Sequence, residues 1–343
     1  MSQLEPIAVR ADAPAVLELP PAHLELRWRA LHVGDVDALF ALIGTIEVAD
    51  RAPTRTSRAE VADFFVGGWK DLQRDSLGGF DHEGTLRAYA FVEVHPGDVG
   101  VVRAFLSGGV DPQWRGSGLG RAVIAWLEGR GRQKLVETGK DLPARLCSFV
   151  EENARDQRRL YAAAGFSPIR WYTSMRRDLS IPIPSVRPPR GVRIVRWSLE
   201  LDEATRLAHN ACFADHWGSE PRTPETWRHD RQHFMPTWSF VALDAAASVP
   251  TVVGYAMSSR YEQDWAVQGW TSGYTEILGV RPEWRGKGLA GVLLARSLNA
   301  FKRSRMQYAC LDVDNANPTG ANGLYEAWGY EATHGSVLYS VEL

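Results

Sequence analysis

The chain has 343 residues, more than one ordinary domain, and at about 100–200 residues per domain two are expected. Its 39 Lys and Arg against 41 Asp and Glu leave a formal charge of -2, which gives no whole-chain signal for a nucleic-acid partner. With 45% hydrophobic and 23% charged residues the composition is globular; no run of about 18 apolar residues offers a membrane helix, so no membrane partner is expected.

The opening MSQLEPIAVRADAP carries acids and a proline where a signal peptide needs a basic end and an apolar run, so a cytoplasmic protein is expected. In the first half, strands are expected near 25–32, 86–94, 100–106 and 145–150. Helices are expected near 35–49, 57–74, 117–130 and 153–164. Residues 180–192, SIPIPSVRPPRGV, then read as an extended linker, because four prolines remove backbone donors and fix φ. In the second half, strands are expected at 192–198, 238–243, 252–258, 274–280 and 307–313. Helices fall at 200–213 and 288–303, a short helix runs to Trp328, and the end looks hairpin-like. Strands in succession, then strand–helix–strand, describe a mixed α/β sheet rather than a regularly alternating fold.

The halves resemble one another. VDPQWRGSGLG (110–120) and VRPEWRGKGLA (280–290) share seven of eleven residues at an offset of 170. NARDQRRLYAAAGF (153–166) parallels NPTGANGLYEAWGY (317–330) at an offset of 164. Two motifs in the same order at nearly the same separation mark a tandem duplication. The domains are expected at 1–180 and 191–343, with the proline-rich 181–190 as linker.

Each glycine-rich turn leaves an apolar strand and enters an apolar-periodic helix, so backbone N–H groups converge where the helix dipole favours an anion. Gly286 and Gly288 lack Cβ atoms that would hold a phosphate away, and Arg285 and Lys287 add cations. The Walker pattern is absent. Gly286 to Gly291 matches the G-x-G-x-x-G spacing but sits late in its half, unlike a dinucleotide fingerprint.

Together the two motifs resemble the Gcn5-related N-acetyltransferase (GNAT) superfamily, and both halves match. The resemblance implies two tandem GNAT domains, each a mostly antiparallel central sheet with flanking helices. It also implies acetyl-CoA as cosubstrate and transfer of its acetyl group to a primary amine of a small molecule, by direct attack in a ternary complex. Carried over, Leu278 and Val280 supply strand contacts to the pantetheine. Arg285, Gly286, Lys287, Gly288, Leu289 and Ala290 form the pyrophosphate site, with Asn317 as a further cofactor contact. Tyr325 becomes the acid for the departing thiolate. The first-half counterparts are Val110, Arg115, Gly116, Ser117, Gly118, Leu119, Gly120 and Tyr161. The tandem acetyltransferases of actinobacteria, the mycothiol synthases among them, share this arrangement. They imply a more specific reading, acetylation of a cysteinyl glucosaminyl-inositol. A non-catalytic acyl-CoA sensor and an aminoacyl transferase using charged tRNA are the competing classes.

Strand alternation places Tyr274, Glu276, Leu278 and Val280 on one face, with Glu276 as the candidate general base. Counting back four from Val110 gives Leu106, so the first half lacks that carboxylate and is expected to be catalytically degenerate, although Glu93 or His95 offers a substitute. Trp217 and Trp227 are candidates to stack on the acceptor, and Asp215 or Glu220 to pair with its charge. The irregular spacing of His216, His229 and His233 and three scattered cysteines suggest no metal site, only buried reduced thiols.

Overall fold

The structure is a computed structural model that describes residues 4–229, 231–246, 251–317 and 320–343. Its strands are β1 (Arg27–Arg29), β2 (Ser76–Phe80), β3 (Leu86–Val94), β4 (Val102–Val110), β5 (Ala144–Glu151), β6 (Ser167–Asp178), β7 (Val192–Arg196), β8 (Phe240–Asp244), β9 (Thr251–Ser259), β10 (Ser272–Val280), β11 (Tyr308–Asp314) and β12 (Tyr330–Glu342). The helices of the first half are α1 (Ile7–Arg10), α2 (Val36–Ala49), α3 (Arg58–Asp63), α4 (Leu72–Asp75), α5 (Leu119–Glu137) and α6 (Arg155–Ala163). Those of the second are α7 (Asp202–Cys212), α8 (Pro224–Arg228), α9 (Glu262–Gln268), α10 (Leu289–Arg303) and α11 (Ala321–Ala327). Among the described residues no helix is long and apolar enough to cross a membrane.

The chain forms two compact units, and they do not follow the linear halves. One unit is Met1–Trp171 with Ser336–Leu343; the other is Tyr172–Gly335. In the first, the sheet runs β1-β2-β3-β4-β5, and the end of β12 pairs antiparallel with β5, from Ser336 opposite Glu151 to Glu342 opposite Arg145. In the second, the sheet runs β7-β8-β9-β10-β11, and the end of β6 pairs antiparallel with β11, from Tyr172 opposite Asp314 to Asp178 opposite Tyr308. The closing strands are therefore exchanged. What reads as a hairpin-like end is one thirteen-residue strand.

The proline-rich 181–190 accordingly lies inside the second unit rather than between units. Buried Arg177 holds it there: its guanidinium donates to the carbonyls of Trp328 (2.6 Å) and Pro182 (2.9 Å). Prolines cannot donate to a ladder, and here their carbonyls accept instead.

Among the described residues, the pairings within a unit are antiparallel except one, β4–β5 in the first and β10–β11 in the second. Each sheet has helices on both faces. In the first unit α5 covers one face with Leu119, Val123, Ile124 and Leu127, while Leu39, Leu42 and Ile43 of α2 cover the other. In the second, α10 packs Leu289, Leu293, Leu294 and Leu298 on one face, and α7 packs Ala208 and Cys212 on the other. Apolar residues at three- and four-residue spacing build these helical faces.

Candidate active site

The lone parallel pair opens a gap in each sheet. β10 and β11 pair only over Ser272–Tyr308, Gly273–Ala309 and Tyr274–Cys310; past that point β10 runs on to Val280 and β11 to Asp314 with no rung between them. β4 and β5 part in the same way after Phe105 and Cys147. A parting pair leaves backbone N–H and C=O groups along one strand edge without a ladder partner, and an elongated ligand with amide groups can take them up.

The two gaps differ in one residue. Against β9, the register of β10 slips at Glu276: Thr275 pairs with Ser258 and Ile277 with Met257, so Glu276 is a β-bulge. β4 has no slip against β3. The bulge reverses the alternation. Leu278 and Val280 pack into the α10 core, whereas Ile277 packs into the α7 core. Glu276 instead shares a face with Tyr274: the Tyr261 hydroxyl donates to its carboxylate at 2.6 Å, and the Tyr261 ring meets Tyr274 edge-on at 5.5 Å. The expectation of one shared face for Tyr274, Glu276, Leu278 and Val280 is thus corrected. The counting of Leu106 against Glu276 is corrected too, because in cross-strand register Leu106 matches Thr275 and Glu276 has no counterpart.

Beyond each gap lies the glycine turn. Gly286 and Gly288 have φ of 73° and 75°, Gly116 and Gly118 of 87° and 100°. Those left-handed values favour glycine, and the space where Cβ atoms of Gly286 and Gly288 would stand is open to 4 Å. The first i→i−4 bond of α10 is Val292 N–H to the Gly288 carbonyl, so the amides of Leu289, Ala290 and Gly291 precede it at the positive end of the dipole. α5 begins identically, with Ala122 N–H on the Gly118 carbonyl. Exposed Lys287 adds a cation, its Nζ 4.6 Å above the Trp284 ring.

The arginines of these turns are committed elsewhere. Arg285 makes a bidentate pair with Asp215 (2.5 and 2.9 Å) and donates to the Cys212 carbonyl at 2.6 Å, locking the turn to the end of α7. It also holds the Asp215 carboxyl below the usual carboxylate range. Arg115 pairs with Asp50 in the same manner. The geometry assigns both arginines to bracing the turn and takes Asp215 away from an acceptor's charge. Ser117 donates to the Trp114 carbonyl at 3.0 Å.

The two tyrosines have parted company. Tyr325 lies on α11 in the α10 core; burial pushes its pKa to about 12, and its hydroxyl has no hydrogen-bond partner among the described residues. Tyr161 is also buried, but its hydroxyl is 2.6 Å from Ser148 Oγ, which donates to the Leu106 carbonyl at 3.1 Å. Ser148 thereby stitches the first gap with a side chain, where Leu311 of the second unit holds the matching register position and has nothing to donate. Glu93 is held by Trp69 Nε1–H at 2.8 Å, with Lys70 at 3.5 Å and His95 at 3.7 Å.

Of the acceptor candidates, Trp227 is a core residue. It is buried against Ala208 and Tyr255, and its Nε1–H donates to Asp202 at 2.9 Å, so it cannot stack on a substrate. Trp217 is half-buried in the loop after α7, its carbonyl 3.1 Å from His216 Nδ1. Asn317 follows β11, its amide on the Asp314 carbonyl. Tyr261 carries no motif and escapes sequence reading. All three cysteines are free thiols, and among the described residues no group of three His, Cys, Asp or Glu is placed to hold a metal.

An anion cradle at a helix start, opening into a gap in a sheet, suits a long phosphorylated thioester, and the open glycines and unpaired strand edge fit acetyl-CoA. Comparison with known proteins agrees. The family model for the acetyltransferase (GNAT) domain matches residues 238–332. A mycothiol acetyltransferase from Thermobispora bispora is 33% identical over 234 residues, 67% of this chain and 73% of that protein. Another from Thermobifida fusca is 29% identical over 273 residues, 74% and 78% of the respective chains. Among solved structures, a GCN5-related N-acetyltransferase from Sphaerobacter thermophilus superposes with a TM-score of 0.69 at 25% identity, covering 95% of this chain and 97% of that one. A tandem GNAT protein from the clavulanic acid biosynthesis pathway gives 0.68 at 19% identity, covering 93% and 98%.

The chain belongs to the GNAT family of acetyltransferases, in its tandem form. It is an acetyl-CoA-dependent acyltransferase acting on a small molecule.

Proposed function

We propose that the second unit transfers the acetyl group to a primary amine by direct attack, with Glu276 as base and Tyr325 as acid. The observation that carries this reading is the bulge, which sets a carboxylate at the mouth of the gap on one face while Tyr325 lies in the core on the other. The amine nitrogen forms its bond to the thioester carbonyl carbon as the C–S bond breaks. Glu276 takes the amine proton, directly or through water, and Tyr325 donates to the departing sulfur. Its raised pKa keeps the phenol neutral and able to donate at neutral pH. Strand amides along β10 polarise the carbonyl as charge develops.

The first unit does not perform the transfer. Its strand lacks the bulge and the carboxylate, Ser148 bridges its gap, and Tyr161 is already bonded. The names of the relatives favour a mycothiol-type acceptor, a cysteinyl glucosaminyl-inositol. A cytoplasmic site of action, without membrane or nucleic-acid partner, suits that chemistry.

The test is CoA release from acetyl-CoA with cysteinyl glucosaminyl-inositol and with a set of simpler primary amines. Glu276→Gln is expected to lower kcat by about 100-fold or more, within the usual range for a general base. Tyr325→Phe is expected to cost about tenfold or more. Wild-type rates in both variants would remove the assignment.

A further inference from the structure

Tyr261 stands apart from everything the family motifs name. It follows β9 at the start of the 260–271 connection, and that start is pinned on both sides. Arg260 N–H donates to the His233 carbonyl at 2.9 Å, Met235 N–H donates to the Ser258 carbonyl at 2.8 Å, and Phe234 bridges Ser259. The Tyr261 ring packs against the His233 ring, at 4.8 Å, and meets the Tyr274 ring edge-on, at 5.5 Å. A ring packed against two other rings has few rotamers left, and its hydroxyl reaches the Glu276 carboxylate 2.6 Å away.

A bulged, exposed glutamate needs such a partner. Without one its side chain samples several rotamers, and only some aim the carboxylate at an attacking amine. A phenol donor also favours the charged form of the carboxylate, the form that accepts a proton. We propose that Tyr261 is a positioning residue for the transfer, fixing the Glu276 carboxylate at the mouth of the gap in its ionised form.

This inference presupposes Glu276 as the base. Among the described residues, ionisable groups on this face include Tyr274 of β10 and Asp312 of β11, the latter bonded by Ser174 at 2.5 Å. His334 of β12 lies near Asp312, while His233, Arg260 and Glu262 flank Tyr261 itself. Tyr274 also feels Tyr261, so the Glu276→Gln background, which keeps these groups and removes the carboxylate, is what separates their response from that of the Tyr261–Glu276 bond.

The experiment follows CoA release against pH, with acetyl-CoA and the primary amine that wild type uses fastest, for wild type, Tyr261→Phe, Glu276→Gln and the double variant. In Tyr261→Phe, kcat is expected to fall roughly tenfold, the KM for acetyl-CoA to stay within about twofold, and the acidic limb of kcat/KM to move up by roughly half a pH unit or more. On the Glu276→Gln background, Tyr261→Phe is expected to do nothing further. A merely structural tyrosine would lower the melting temperature and leave the acidic limb in place, which overturns the proposal. Should Tyr261→Phe not fold, Tyr261→Met, which removes the same hydroxyl and leaves Glu276 itself unchanged, is expected to move the limb the same way; an unmoved limb there also overturns it. Loss of turnover in Glu276→Gln with an unchanged Tyr261→Phe refutes this inference alone. Unchanged Glu276→Gln, or no release with any amine, refutes the reading of the site and this inference with it.

Discussion

The exchanged strands make an unusual demand on the chain: a substitution at its C-terminal end should weaken its N-terminal unit. Tyr339→Ala is the sharpest probe. Tyr339 is buried in the first unit, lies opposite Ser148 in register, and packs its ring 6.0 Å from that of Tyr161. Its hydroxyl accepts from Arg158 Nε at 3.2 Å. Truncating a buried aromatic costs about 3–5 kcal/mol through lost burial and the cavity left behind. In a unit of roughly 180 residues, 2–4 °C per kcal/mol turns that into a drop of about 6–20 °C in the melting temperature of that unit. Amide hydrogen exchange read by mass spectrometry separates the units. Peptides covering β3, β4 and β5 should lose protection while those covering β9, β10 and β11 keep it. Met175→Ala, in the portion of β6 that closes the second unit, should give the mirror image. Loss confined to the second unit in Tyr339→Ala, or spread equally over both, would refute the exchange.

Two further outcomes follow from buried groups and tight turns. His209 is buried with Nδ1 2.6 Å from the Tyr255 hydroxyl, and burial pushes its pKa down to about 3 from an ordinary value of 6.5. The folded chain therefore refuses a proton that the unfolded chain accepts. Its contribution is intact above pH 6.5 and is lost as pH falls from there toward about 3, at roughly 1.4 kcal/mol per unit. Urea unfolding of wild type at pH 7 and pH 5 should show about 2 kcal/mol lost from the second unit, with a flatter response in His209→Gln. An equal slope in both proteins would exclude His209 as its source. Gly288→Ala places a Cβ at φ of 75°, where strain costs about 1–2 kcal/mol and the new methyl enters the anion cradle. It should raise the KM for acetyl-CoA at least about tenfold, whereas Gly118→Ala in the first unit should leave turnover unchanged. Equal effects at both turns would mean that the first cradle also serves catalysis.

The duplication was legible because its motifs sit at turns, where conformation dictates residue type. Left-handed φ selects glycine at 116, 118, 286 and 288, and the first position of a 3₁₀ turn selects Pro112 and Pro282. Strand exchange was not legible, because residues 336–342 have the same alternation whichever neighbour they pair with. β2 hid for a different reason. Its SLGGF has two glycines, a poor strand pattern, yet a Cβ at Gly78 or Gly79 would stand 2.5 Å from Leu31 or 2.7 Å from Trp28. The aromatic segment after α7 misled, since Trp227 has its N–H on buried Asp202 and fills the core. Tyr261 and Ser148 act through partners 15 and 42 residues away, distances that no local pattern records.

The bulge explains why duplication produced one carboxylate rather than two. With regular alternation, residue 276 would share the face of Leu278 and Val280 and point under α10 among Leu289 and Leu293, where a lone carboxylate costs several kcal/mol. One extra residue between Thr275 and Ile277 turns Glu276 outward to Tyr261 while Leu278 and Val280 keep their places in the core. Glutamate and bulge therefore require each other. In the first unit β4 is regular, and Leu106 is buried against α5, where a Cβ at Gly131 would stand 3.1 Å from its side chain. An acid placed at 106 would enter that core and not the mouth of the gap. The two copies are separated by a change of register, which no single substitution reverses.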